Sequence, residues 1–154
     1  MLISSDGEKY SPVGIEEALV GQSKYIDQVI LNNNQSPYTI ALIVPNKEAL
    51  KRKLAFSNLT LDTEEGRKAA LKKMEQELNN FKKGGEFDGL FPERWLPSTF
   101  AILSEPFTEQ NQMINSTMKM VRGKIEKFYA DRIDYLYSSE GKQIFNEKNL
   151  EAIG

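Results

Sequence analysis

The longest uninterrupted apolar run in the chain is IALIV, residues 40–44, and Pro45 follows it at once. Such a run makes a strand; a membrane span needs roughly 20 apolar residues. Pro45 has no N–H to give a ladder and closes the strand. Upstream, YIDQVIL at 25–31 is rich in β-formers, and a polar stretch at 32–36 separates the two runs. Two apolar runs around a polar loop predict an antiparallel pair.

Other elements interleave with that pair. Residues 1–10 read as a hairpin turning at Asp6-Gly7, because glycine tolerates positive φ. Ser11 is placed to cap a helix with Pro12 in its first position, and Ile15 and Leu19 share one face. Residues 46–90 form a helical section. Asn46 caps a first helix, and a second runs over 63–82, with Asp62 and Glu65 resembling a capping box and Lys82-Lys83-Gly84-Gly85 as the stop. Leu71, Met74, Leu78 and Phe81 make one stripe on the second helix, either core or an exposed arm. Residues 99–103 predict a strand. A long helix is expected over 119–137, marked by Val121, Ile125, Phe128, Tyr129, Ile133 and Leu136, and a last short helix over 141–149. The fold class is therefore α+β: a small mixed or antiparallel sheet, the N-terminal hairpin plus about three strands, with helices packed around it. Residues 1–154 suit one domain.

Composition excludes several chemistries. Cysteine and histidine are both absent, so this chain holds no disulfide, thiol nucleophile or imidazole base. Lysine, arginine, carboxylates, hydroxyls and backbone remain. A net charge of -2 gives no general attraction to nucleic acid. Lys51-Arg52-Lys53 reads as a solvated helix face. MLISSDGEKY lacks the basic region and apolar core of a signal peptide. Phosphate loop, dinucleotide fingerprint and metal-ligand cluster are also missing, and no metal site is expected.

Two stretches are more specific than a generic fold requires: GEKYSPVGIE at 7–16, and FAILSEPFTEQNQMINSTMKMVR at 100–122. Together with YIDQVIL, PYTIALIVPNKEAL and YADRIDYLY, they resemble the C-terminal domain of AMP-forming long-chain fatty-acid–CoA ligases, in the acyl-adenylate-forming superfamily. The likeness covers about 1–56 and 92–137.

That resemblance implies a lid domain that takes two poses. In one, a lysine enters the active site while a carboxylic acid reacts with ATP. Lys119 matches that lysine; Lys124, in Gly123-Lys124-Ile125, is its rival. In the other pose the hairpin faces coenzyme A, and Gly7 and Glu8 match the coenzyme A side. Arg122 is expected to support local structure or ligand phosphates, and Glu16 to orient the start of its helix. The large domain that holds ATP, Mg2+ and the fatty acid is the expected partner, and neither it nor the hinge is in this sequence. The chain is therefore expected to be a fragment without activity, from a cytoplasmic enzyme for which peripheral contact with the inner membrane face stays open. Two alternatives stand beside this reading. One is the lid of another adenylating enzyme: an aryl or short-chain CoA ligase, or an acyl-AMP ligase that uses a carrier protein. The other is a non-enzymatic interaction module working through the 63–82 helix.

Overall fold

A computed structural model describes all 154 residues. Its centre is a three-stranded sheet in which residues 40–45 form the middle strand. Strands β3 (Ile26–Asn32) and β5 (Ile40–Pro45) are antiparallel, and β5 runs parallel to β6 (Thr99–Ile102). The apolar run is thus the middle strand, buried along its whole length, as helices and loops on both faces require. Alternation along β5 sorts two cores. Ala41 and Ile43 face one; Ile40, Leu42 and Val44 face the other. A bulge between Ile26 and Gln28 lets Ile26 join Val29 and Leu31 on the first face.

The first face carries most of the helices. The hairpin of β1 (Leu2–Ser4) and β2 (Lys9–Tyr10) does not extend the main sheet; it pairs with β4 (Asn34–Ser36) as a second three-stranded sheet. Leu2 and Tyr10 join the first core, with Ile15 and Leu19 of α1 (Val13–Gln22) and Leu50 of α2 (Lys47–Ala55). So do Leu71, Met74 and Leu78 of α3 (Glu64–Asn79), and Phe81 just beyond it. The α3 stripe is therefore core, which removes the exposed-arm reading. The second core holds Met113, Ile125, Ile133 and Leu136.

Several expected boundaries move. Ser11 caps nothing: Pro12 precedes α1 and no side chain bonds its first turn. Thr63 rather than Asp62 caps α3, accepting from Gly66 N–H at 3.1 Å. That helix stops at Asn79, before Lys82-Lys83, because the chain folds back through Phe87 N–H to Asn80 O at 2.7 Å. Gly85 permits the return, since a Cβ there would lie 2.4 Å from Asn80 O. The 119–137 helix is two helices, α4 (Arg122–Phe128) and α5 (Ala130–Tyr135). It starts at 122 because Ile114 and Met120 bridge as a hairpin, and it breaks at Tyr129, where φ is -102° and ψ 21°. Phe128, one of the residues marking that helix, is 67% exposed. The last helix, α6, is Glu147–Ile153, later than expected because Asn146 caps it by accepting from Asn149 N–H at 2.9 Å. No helix is long and apolar enough to cross a membrane.

Both sheet edges are sealed by side chains, which removes open pairing sites. At the β6 edge, fully buried Asn149 accepts from Ile102 N–H at 2.9 Å and donates to Phe100 O at 3.0 Å. At the β3 edge, Gln28 exchanges two bonds with Phe107, 3.0 and 2.8 Å, as another strand would.

Candidate functional site

Lys119 ends a five-residue hairpin loop. Asn115 N–H donates to Lys119 O at 2.9 Å, and Met118 N–H to Asn115 O at 3.0 Å. One side-chain oxygen organises the rest: Asn115 Oδ1 accepts from Thr117 N–H at 3.0 Å, Thr117 Oγ1 at 2.8 Å and Lys119 N–H at 3.0 Å. Met118 sits in the left-handed region at φ 65°, uncommon for a long side chain. The loop is exposed, and the Lys119 ammonium makes no ion pair. Lys124, its rival, lies in the first turn of α4, half-buried, and donates to Gln112 Oε1 at 2.6 Å.

Arg122 begins α4 and reaches Glu16, 106 residues away, with both guanidinium nitrogens; one of the bonds measures 3.0 Å. Glu16 is 4% exposed, and its Oε2 also accepts from Leu31 N–H at 2.7 Å. The pair wraps the free edge of β3 and ties α1, on the first core, to the segment after the Lys119 loop, on the second. Arg122 is thus paired within the fold, and Glu16 bonds beyond the start of its own helix. Breaking such a buried pair by removing one partner costs about 3–5 kcal/mol.

The hairpin is built differently. Gly7 has φ 91°, and its N–H donates to Ser4 O at 3.0 Å. An added Cβ would meet nothing within 4 Å, so backbone conformation, not crowding, asks for glycine. Glu8 carries a three-point clamp. Arg94 Nε and Nη2 donate to its two oxygens, each at 2.8 Å, and Trp95 Nε1 donates at 2.9 Å. Trp95 stacks on Tyr10 with centroids 5.3 Å apart. Arg94 first, then Trp95, holds the Glu8 carboxyl at about 2, well below its usual range. The Glu8 carboxylate, expected on the coenzyme A side, is therefore occupied within the chain.

The structure sets Lys119 and Gly7 on segments that pack against opposite faces of the central sheet: Met113 and Ile125 bracket the Lys119 loop in one core, and Leu2 and Tyr10 anchor the hairpin in the other. Sequence reading missed Asn115, Arg94 and Trp95. The only available signal was local: Asn two residues before Thr and four before Lys is a loop-organising pattern. No group of three or more Asp or Glu side chains converges to hold a metal ion.

Comparison with known proteins places this architecture. The family described as AMP-binding enzyme C-terminal domain matches residues 1–82. The chain is 26% identical over 136 residues to long chain acyl-CoA synthetase 8 of Arabidopsis thaliana, covering 84% of this chain and 18% of that protein. It is 28% identical over 137 residues to the chloroplastic long-chain-fatty-acid–[acyl-carrier-protein] ligase AEE15 of the same plant, covering 89% and 16%. Among solved structures, the adenylation domain of a carboxylate reductase from Mycobacterium chelonae superposes with a TM-score of 0.69 at 25% identity, covering 88% of this chain and 19% of that one. The chain thus spans less than a fifth of the length of these relatives. With more than half of its length matched, it belongs to the family of AMP-binding enzyme C-terminal domains.

Proposed function

We propose that the chain is the mobile C-terminal domain of a long-chain fatty-acid–CoA ligase, joining fatty acid, ATP and coenzyme A into acyl-CoA, AMP and diphosphate. The observation that carries this reading is the pairing of an exposed, uncommitted Lys119 on one side of the central sheet with an open Gly7 hairpin on the other. A domain with two working faces suits two half-reactions.

In the first, a carboxylate oxygen attacks the α-phosphorus of ATP, the bond to diphosphate breaks, and an acyl-adenylate forms. Negative charge gathers on phosphate oxygens as two anions meet. Lys119 is the cation aimed at that charge, and its loop holds its own shape, so little reorganisation is needed. Lys124 is less suited, being half-buried and bonded to Gln112. In the second, the thiol of coenzyme A attacks the acyl carbon and AMP leaves. Gly7 lets the thiol arm pass close to backbone, while the Arg94–Glu8 clamp keeps the hairpin in shape. ATP, its Mg2+ and the fatty acid belong to a large domain, the partner of this one. The 154-residue chain alone is expected to activate no acid. A cytoplasmic location with peripheral contact to the inner membrane face goes with an apolar substrate.

A second reading has a specific basis. The likeness to a long-chain-fatty-acid–[acyl-carrier-protein] ligase favours a carrier-bound thiol as acceptor just as the synthetase favours coenzyme A. Supplying the full enzyme with coenzyme A or with a loaded carrier protein separates the two. The role of Lys119 is tested by Lys119→Ala in that enzyme. Adenylation, read as diphosphate release, is expected to fall by the equivalent of roughly 2.7–4 kcal/mol. Thioester formation from supplied acyl-adenylate is expected to survive, and equal loss of both steps overturns the assignment.

A further inference from the structure

Away from loop and hairpin, three cations line one open cavity of about 400 Å³: Lys47, Arg132 and Lys148. It lies at the carboxyl ends of the parallel strands β5 and β6, with Lys47 just past one and Ser104 just past the other. Open sheets bind ligands beyond the carboxyl ends of parallel strands. None of the three cations is ion-paired with a side-chain carboxylate, although Glu151 shares the rim.

Arg132 is only half used. Its Nη2 donates to Ile102 O at 3.0 Å and to Asn149 Oδ1 at 3.2 Å, but its buried Nε has no partner. Lys47 reaches the main-chain oxygen of Gly154 at 3.1 Å, a carboxylate oxygen in the 154-residue chain, so Arg132 and Lys148 are the cations left for a ligand. Burial first, then Lys51, pulls the Lys47 ammonium below the usual value.

We propose that this cavity binds a phosphate-type dianion, with the Arg132 guanidinium, the Lys148 ammonium and the Ser104 hydroxyl as donors. Guanidinium groups match phosphate oxygens in geometry and charge, and the lysines add point charges. Free orthophosphate and a phosphate monoester present the same group, and the test separates them. The proposal does not depend on the function assigned to Lys119.

The 154-residue chain, nitrogen-15 labelled, is titrated with sodium phosphate and separately with glycerol phosphate at constant ionic strength. Saturable shifts are expected at the Ser104 and Lys148 amides and at Arg132 Nε–H. Lys148→Gln and Arg132→Gln should each weaken binding by about tenfold, the worth of one hydrogen bond to a charged group. Lys124→Gln should leave it unchanged. Tighter binding of the ester identifies a monoester ligand; equal binding assigns the site to the phosphate group itself. Arg132 also holds the β6 edge, so its variant is expected to lose stability. Lys148, whose ammonium lies 4.4 Å from the Tyr135 ring centre, carries the test alone. Shifts spread over all exposed lysines, shifts unchanged in Lys148→Gln, or no saturable shift at all would overturn the proposal.

Discussion

The hairpin at Gly7 and the loop at Lys119 are both tight reversals with a residue at positive φ, yet they are secured in different ways. The hairpin places glycine at φ 91° and is braced from outside, by Arg94 bonding Glu8 across 86 residues. The loop places methionine at φ 65° and is braced from inside, by Asn115 bonding groups two and four residues away. One reversal relies on the tertiary fold and on charge. The other carries its own scaffold and leaves its cation free. A lysine that must be delivered into another domain is better served by the second arrangement.

The largest expected effect lies at the tie between the two sides. Arg122→Ala strands the buried Glu16 carboxylate and should cost about 3 kcal/mol, the low end for a buried pair because Arg122 is 30% exposed. Chemical denaturation checks this, and a cost no larger than that of Glu8→Gln would mean the two braces are equivalent. Next comes Gly7→Ala. Space is open there, so the cost is the left-handed backbone alone, about 1–2 kcal/mol. Met118→Gly should do the reverse, relieving strain and leaving the melting temperature level or higher; a clear drop would show that the Met118 side chain is needed for the fold.

Asn115→Ala should cost about 1 kcal/mol or less globally, because the loop is exposed. Its mark is local: faster amide exchange at Thr117 and Lys119, with the hairpin unaffected. Unchanged exchange would show that the backbone bonds alone hold the loop. The smallest effect is acid sensitivity confined to the hairpin. Glu8 has a depressed folded pKa of about 2, so its contribution is present above the usual carboxylate range and is lost as pH falls from about 4.5 towards 2. Trp95, the sole tryptophan, reports it by fluorescence. Glu8→Gln should abolish that step, and added salt should weaken it. Residues 115–119 contain no acid and should not respond.

How much could be read beforehand follows the range of the interactions. Residues 40–44, the 1–10 hairpin and the Leu71-Met74-Leu78 stripe were legible because burial imposes a short period on sequence. Periodicity reports a face, not a hydrogen-bond ladder, which is why the break at Tyr129 was invisible. Bonds from Tyr129 N–H to Ile125 O and from Ile133 N–H to Tyr129 O keep that face aligned across it. Thr63 and Asp62 are both good caps, and local sequence does not choose between them. The positions of Lys119, Arg122, Gly7 and Glu8 came from motif resemblance. Their partners did not, because Glu16 with Arg122 and Glu8 with Arg94 meet only once the sheet has formed. Asn149 and Arg132, which seal β6, are ordinary helix residues until β6 lies beside them.

The central claim, two working faces on one domain, is tested most directly by measuring both half-reactions of the full enzyme in two variants. Lys119→Ala should slow adenylation by about a hundred- to a thousand-fold and spare thioester formation. Gly7→Val should slow thioester formation and spare adenylation. That crossed pattern is the predicted result; two variants that lose the same half-reaction would contradict it.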